Sequence, residues 1–378
     1  MATLKEVAER AQVPMLDAYH ALKQTGSGDG ELEQKVLKAA DDLHYELRIT
    51  QIDVADFAGV AKGTVSYALN GNELIKPATR QKVLDAAATL GYRPNIMARN
   101  LKTNRAGIVG YSWHVADDPS RMNNLLDEFI YRVTMAAEAH ANHLLTFIQP
   151  QEDADRVYDD LISTNRVDGF ILSDVAYNDM RIERLFALNA PFAAFGGMYM
   201  PDAAFAYVDV DGKKGIELVV NHLLERGHER IGLLNWHPGL LIGDVREMGY
   251  QDAMRRAGIA VEPEWIAYTP NILRSASEAT ARLMTAKHPP TALVCTNDVM
   301  AFGARAYLDQ VGLKDVALTG YDDDPTAQFL GITSVHQPID AVAKTLFDLL
   351  LGEINHEPRA VRQVVFEPEL VVRQSTGG

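Results

Sequence analysis

The chain has 378 residues, more than one hydrophobic core ordinarily serves, so two or more domains are expected. Hydrophobic residues make up 47% and charged residues 23%, which excludes disordered and fibrous classes. A net charge of −15 argues against a surface that coats nucleic acid or an anionic membrane as a whole, and leaves room for a local basic module. The single cysteine, Cys295, has no intramolecular partner, and no zinc-type spacing occurs. No apolar run reaches the ~18 residues of a membrane span, and the opening MATLKEVAERAQ is charged rather than signal-like. A cytoplasmic chain without membrane contact is expected.

Residues 3–47 align without a gap on residues 50–94, with about a third of the pairs identical. Identities include Val7/Val54, Ala8/Ala55, Ala11/Ala58, Val13/Val60, Leu22/Leu69, Leu43/Leu90, Tyr45/Tyr92 and the run Gln34-Lys35-Val36-Leu37 on Gln81-Lys82-Val83-Leu84. Each copy has the pattern of a short helix, a tight turn, a second helix, a loop and a third helix. In the second copy residues 53–58 form the first helix, Gly59 supplies a left-handed turn residue, and residues 62–70 form the next. That is a helix-turn-helix, whose second helix enters a major groove. Residues 79–90 make the third helix, with Val83, Leu84, Ala87 and Leu90 at helical spacing.

Charge separates the copies. Residues 1–47 carry five Lys/Arg against nine Asp/Glu, a net of −4, whereas residues 48–105 carry nine against four, a net of +5. The remaining −16 lies on residues 106–378. Phosphate contact is therefore expected from the second copy.

From Ala106 onward, strand-like runs at residues 107–111, 144–148, 169–172, 192–195, 231–235, 292–295 and 316–319 alternate with amphipathic segments at 153–165, 213–226, 245–257 and 301–310. This alternation implies parallel sheets covered by helices. In such sheets a ligand sits beyond the carboxyl ends of the strands. The residues found there are Trp113-His114, Asp174, Asp209 and Asp211, Trp236-His237, Asn297-Asp298 and Asp322. Carboxylates and asparagine bond to vicinal hydroxyls, and tryptophan offers an apolar face to a sugar ring, so a sugar or polyol is the expected ligand. Asp298 is read as a helix N-cap.

The run Asp53-Val54-Ala55-x-x-Ala58-Gly59-Val60-x-x-x-Thr64-Val65-Ser66-x-x-Leu69-Asn70-Gly71, then Thr79-Arg80-x-x-Val83-Leu84, then Leu90-Gly91-Tyr92-x-Pro94-Asn95-x-x-Ala98-Arg99-x-Leu101, resembles the headpiece and hinge of the lactose/galactose repressor (LacI/GalR) family. The likeness continues through Val167-Asp168-Gly169, Gly227-His228, Arg246-x-x-Gly249-Tyr250, Thr296-Asn297-Asp298-x-x-Ala301-x-Gly303 and Gly320-Tyr321-Asp322-Asp323. It implies a DNA-binding transcriptional regulator, a repressor, controlled by a small-molecule effector between two periplasmic-binding-protein-like lobes. The fold class is α/β: all-α helix-turn-helix modules followed by two parallel-sheet lobes. The implied partners are double-stranded operator DNA, the effector and a second copy of the chain as a homodimer.

Residue by residue, the resemblance places Lys62, Thr64, Ser66 and Tyr67 on the recognition helix and Asn70 and Arg80 at phosphates. Asn95, Ala98 and Leu101 fall on a hinge helix, with Leu101 the apolar wedge of a minor-groove base step. Tyr67 stands where the family commonly has an arginine, and Gly63 lies inside the recognition helix, so the usual operator is not expected. Arg246, Asn297, Asp322 and Asp211 match effector positions, with His114 near another; Trp113 and Trp236 join them as aromatic faces. The expected division is a degenerate module at 1–47, a headpiece at 48–94, a hinge helix and linker at 95–105, and an effector-binding and dimerisation body at 106–378. Within the body, lobe 1 spans about 106–223 and 341–366, and lobe 2 about 224–340 and 367–378.

The first copy lies outside the usual family layout. Asp17 replaces Thr64, Pro14 replaces Ala61, and Glu46-Leu47 replaces Arg93-Pro94. An acidic recognition helix is repelled by phosphate, so this module is expected to pack against the second copy or a protein partner, with contact to flanking DNA as the alternative. No GxSxG, GxxxxGK[ST] or HExxH motif occurs, and no glycine fingerprint follows a strand, so neither an enzyme nor a cofactor is expected. His140 and His143, at helical spacing, lack the companions of a metal site. The rival reading is a cytosolic ligand sensor that acts through protein contacts rather than DNA.

Overall fold

The computed structural model describes residues 2–23, 30–69, 72, 74–92, 105–113, 124–149, 154–200, 204–358 and 361–377. It divides into two compact units, Met1–Thr103 and Asn104–Gly378. No helix among the described residues is long and apolar enough to cross a membrane.

The first unit holds both repeats, each as three helices. The first copy comprises α1 (Leu4–Ala11), α2 (Met15–Leu22) and α3 (Gly30–Asp42); the second comprises α4 (Gln51–Ala58), α5 (Lys62–Leu69) and α6 (Pro77–Thr89). Their starts follow one device. Thr3 caps α1 and Thr50 caps α4, and the carboxylates of Glu6 and Asp53 reach back to accept from the cap N–H at 2.8 Å in both. Both first helices end in the left-handed region, at Gln12 (φ 57°) and at Gly59 (φ 61°), as the tight turn requires. A shared core joins the copies, with Leu4, Val7, Ala18 and Val36 from one and Val54, Val65, Val83 and Leu90 from the other.

The second unit alternates strand and helix. In chain order it runs β1 (Ile108–Trp113), α7 (Asn124–Ala139), β2 (His143–Ile148), α8 (Ala154–Ser163), β3 (Gly169–Leu172), α9 (Met180–Ala187), β4 (Phe192–Phe195) and β5 (Ala206–Val210). There follow α10 (Gly212–Glu225), β6 (Ile231–Asn235), α11 (Leu241–Arg256), β7 (Ile266–Tyr268), α12 (Leu273–Met284), β8 (Ala292–Cys295) and α13 (Asp298–Val311). The last elements are β9 (Ala317–Asp322), α14 (Pro325–Phe329), β10 (Thr333–His336), α15 (Ile339–Ile354), β11 (Gln363–Phe366) and β12 (Glu369–Val371). Among the described residues they form two six-stranded sheets, β11-β5-β4-β3-β1-β2 and β12-β10-β9-β8-β6-β7. Pairing is parallel except for β10 with β12. Both lobes thus present strand carboxyl ends to one cleft.

The lobe boundary falls earlier than expected. Ile216, Val219, Val220 and Leu223 of α10 lie in the core of the second lobe with Leu233 and Tyr250, so the crossing follows β5 near Asp211 rather than residue 223. A glycine permits this close docking: a Cβ on Gly249 of α11 would lie 2.4 Å from the Lys213 carbonyl oxygen of α10. The chain returns at α15, whose Val342, Leu346, Phe347 and Leu350 fill the first-lobe core, and crosses again between β11 and β12.

Candidate functional site

On the DNA-reading module, Val65 and Ala68 anchor α5 to the core while Lys62, Gly63 and Tyr67 face outward, Tyr67 being 52% exposed. Thr64 and Ser66 are half-buried. A Cβ added at Gly63 would meet nothing, so the glycine leaves an open patch on the outer face and is not a packing requirement. Arg80 of α6 donates from Nη2 to the Asn72 carbonyl at 2.7 Å, which ties α6 to the loop after α5. Asn70, Asn95, Ala98 and Leu101 lie outside the described residues.

In the body, a cavity of about 400 Å³ opens between the lobes. Its polar wall is built around Arg246, which α11 buries to 3% exposure. The guanidinium lies 3.6 Å over the Tyr321 ring and 5.5 Å from the centre of Trp236, donates to the Thr296 carbonyl, and comes within 4.0 Å of the Asp322 carboxylate. Flanking aromatic faces favour the planar cation and fix its orientation. Its buried Nε–H finds no acceptor among the described residues, so a donor is left over at the cleft.

Asp322 ends β9 with φ at 116°, a conformation rarely adopted by residues with a side chain, and Asp323 follows at φ 57°. Gln337 Nε2 donates to Asp322 Oδ1 at 2.8 Å. Burial pushes the Asp322 carboxyl up to about 7, Arg246 and the Gln337 hydrogen bond pull it down, and Asp324 adds to the rise. Behind it Asp298 is buried, accepting from the Asp324 N–H and the Ser334 hydroxyl at 2.7 Å each, and burial with Asp322 nearby raises its carboxyl well above the usual range. The cap role expected of Asp298 belongs to Asn297, whose Oδ1 accepts from the Met300 N–H at 2.9 Å. The Nδ2 of the same asparagine donates to Asn271 at 2.6 Å and holds its amide at the cleft.

Arg246, Asn297, Asp322 and Trp236 therefore meet at one cavity. Asp211 sits just beside it: it caps α10, accepting from Lys214 N–H and from the Tyr199 hydroxyl at 2.9 Å each, and it is Tyr199 that lines the cavity. Trp113 ends β1 with its side chain outside those described, and His114 lies outside the described residues. Sequence reasoning missed Gln337 and Asn271. Gln337 directly follows β10, so the strand-end rule would have found it had that strand been recognised. Asn271 sits in a loop and carries no periodic signal. It also missed the apolar lining residues Leu125, Phe129, Val175, Phe195, Leu241 and Ile242. Such residues in sequence look like any core positions.

A basic helix-turn-helix unit followed by a two-lobed α/β body, with polar groups gathered at the lobe junction, defines a ligand-responsive DNA-binding regulator. Comparison with known proteins points the same way. The model for bacterial regulatory proteins of the lacI family matches residues 50–95, and that for a periplasmic binding protein-like domain matches residues 220–376. The transcriptional repressor CytR of Escherichia coli strain K12 is 31% identical over 342 residues, covering 88% of this chain and 97% of that one. A LacI-family regulatory protein from Chloroflexus aggregans superposes with a TM-score of 0.67 at 34% identity, over 72% of this chain and 99% of that one. The regulator CelR in complex with cellobiose gives 0.66 at 26% identity, over 87% and 100%. The chain belongs to the LacI family of DNA-binding transcriptional regulators.

Proposed function

We propose that this regulator is a repressor that acts as a homodimer on a roughly two-fold operator, released or retained according to an uncharged, hydroxyl-bearing effector in the cleft. The observation that carries the effector class is the mixed polar and apolar lining of the cavity. Arg246, Asp322, Asn297 and Gln337 offer donors and acceptors for vicinal hydroxyls, while Leu125, Phe129, Phe195 and Ile242 offer apolar surface. A sugar or polyol bearing an apolar substituent matches both. Asp174, Asp209 and Asp322 line the cavity against Arg246 as the sole cation among its described lining residues, which disfavours a phosphorylated ligand. CytR is named a repressor and CelR holds cellobiose, which supports both halves of the reading.

The DNA half rests on Lys62, Thr64, Ser66, Tyr67 and Arg80 of the basic second copy, with Asn70, Asn95, Ala98 and Leu101 completing the contact. One headpiece buries too little surface to specify a site, and pairing two through a dimer supplies the second half-site. Effector binding alters the angle between lobes and so the separation of the two hinges. A thermal-shift screen of sugars, glycosides, polyols, nucleobases and sugar phosphates tests the effector class, since a ligand at 100 times its dissociation constant stabilises by about 2.7 kcal/mol. An uncharged glycoside or polyol is expected to shift the melting of the body. A shift given only by phosphorylated compounds would contradict the assignment.

A further inference from the structure

The first copy keeps the shape of a headpiece and gives up its reading face. At the offset of the repeat, Met15, Leu16, Asp17, Tyr19 and His20 of α2 hold the positions of Lys62, Gly63, Thr64, Ser66 and Tyr67 of α5. In α5 Lys62, Gly63 and Tyr67 are exposed and Thr64 and Ser66 half-buried. In α2 Tyr19 is only 4% exposed, and Met15 and Leu16 pack against the core that both copies share. Asp17 and His20 stay exposed, and Asp17 puts a negative charge where a reader needs a neutral or positive group.

The second copy meets the first at two places, at Tyr19 on this face and at the start of α1. Past the end of α6, Gly91 turns with φ 61°, and a Cβ there would lie 3.0 Å from the Tyr19 hydroxyl oxygen. Lys23 Nζ donates to that same hydroxyl at 3.1 Å and orients it. At the start of α4, the buried carboxylate of Asp53 uses one oxygen for its own helix cap and the other to accept from the Leu4 N–H at 2.8 Å. Lys5 and Asp56 add an ion pair at 3.9 Å along the same seam. The capping-box carboxylate of the reading module is thus shared with the first copy, and the exit of its last helix abuts Tyr19.

We propose that residues 2–45 are a built-in brace for the operator-reading headpiece: the chain's own second copy is their partner, and they make no contact with operator DNA. A three-helix unit of this size has a small core of its own, and the fused copy enlarges it. The net charge of −4 on residues 1–47 suits a module held off the phosphates.

The test uses the full chain and a duplex that it selects from a random pool. The double variant Asp17→Lys, His20→Lys replaces a carboxylate and a neutral imidazole on the exposed remnant of the α2 face by two ammonium groups, a change of +3 in formal charge. The brace leaves affinity within about twofold and the dependence of log K on log salt unchanged, whereas a first copy lying on DNA gains affinity and steepens that slope by roughly 0.9 per new phosphate contact. Thr64→Ala and Tyr67→Ala, on the same duplex, are expected to weaken binding about tenfold or more. Hydrogen exchange on Tyr19→Ala reads the mechanical half: faster exchange in α4 and α6 as well as α1–α3 is expected. A steeper salt slope in the lysine variant, or acceleration confined to residues 2–45, overturns the proposal.

Discussion

Asp322 and Arg246 carry the cleft's electrostatics between them, and their substitutions separate sensing from DNA binding. Asp322→Ala and Arg246→Ala are expected to abolish the effector response while leaving operator affinity unchanged, because neither lies on the helix-turn-helix; titration of the operator with and without effector checks this. The raised carboxyl adds a pH signature. Effector hydroxyls donate to the ionised form of Asp322, so affinity is full above about 7 and falls as the pH is lowered through that value. The sign for stability is the opposite: with the folded pKa above the unfolded one, the protonated carboxyl suits the fold better, and the body loses this contribution as the pH rises through about 7. Calorimetry of effector binding across this range, with Asp322→Asn as the comparison, measures the first effect. An equal fall in Asp322→Asn would show that another group titrates.

At the scale of elements, the helix pairs of the second lobe are set by two glycines. A Cβ on Gly249 would approach the Lys213 carbonyl oxygen to 2.4 Å, and one on Gly303 of α13 would approach that of Leu273 of α12 equally closely. Backbone cannot yield as a flexible side chain does, so Gly249→Ala and Gly303→Ala are each expected to destabilise the body by about 1–3 kcal/mol, read by thermal unfolding. Unchanged melting would mean that the helices separate without cost. Both glycines stand in the motif strings that signal the family, and the packing gives those strings a physical meaning. The repeat and β3, β4, β6 and β8 were legible because they rest on repeated identities and continuous apolar runs. The short edge strands β7 and β12 were not, since three residues give no periodic signal. Nor was the allegiance of α10, whose apolar stripe suits either lobe until the Gly249 approach selects one. In the cleft, Arg246 and Asp322 were readable from strand ends and motif strings, whereas Phe129 and Phe195 became site residues only through the placement of α7 and β4 around the cavity.

For the whole molecule, the charge of −15 resolves into −4, +5 and −16, an acidic brace, a basic reader and an acidic sensing body. Coupling between reader and sensor in such systems is typically worth about 1–3 kcal/mol, a change in operator affinity of roughly 5- to 150-fold. The dimer is expected to sediment at twice the chain mass, and a chain that stays monomeric on a full operator would remove the basis for a two-fold site. The most direct measurement is equilibrium binding of the full-length protein to duplexes selected from a random pool, followed across a salt series with and without the effector found by thermal shift. The account predicts an enriched, roughly palindromic sequence, an affinity that falls steeply as salt rises, and a shift in that affinity when the effector is added. No enriched sequence together with a flat salt response would contradict it.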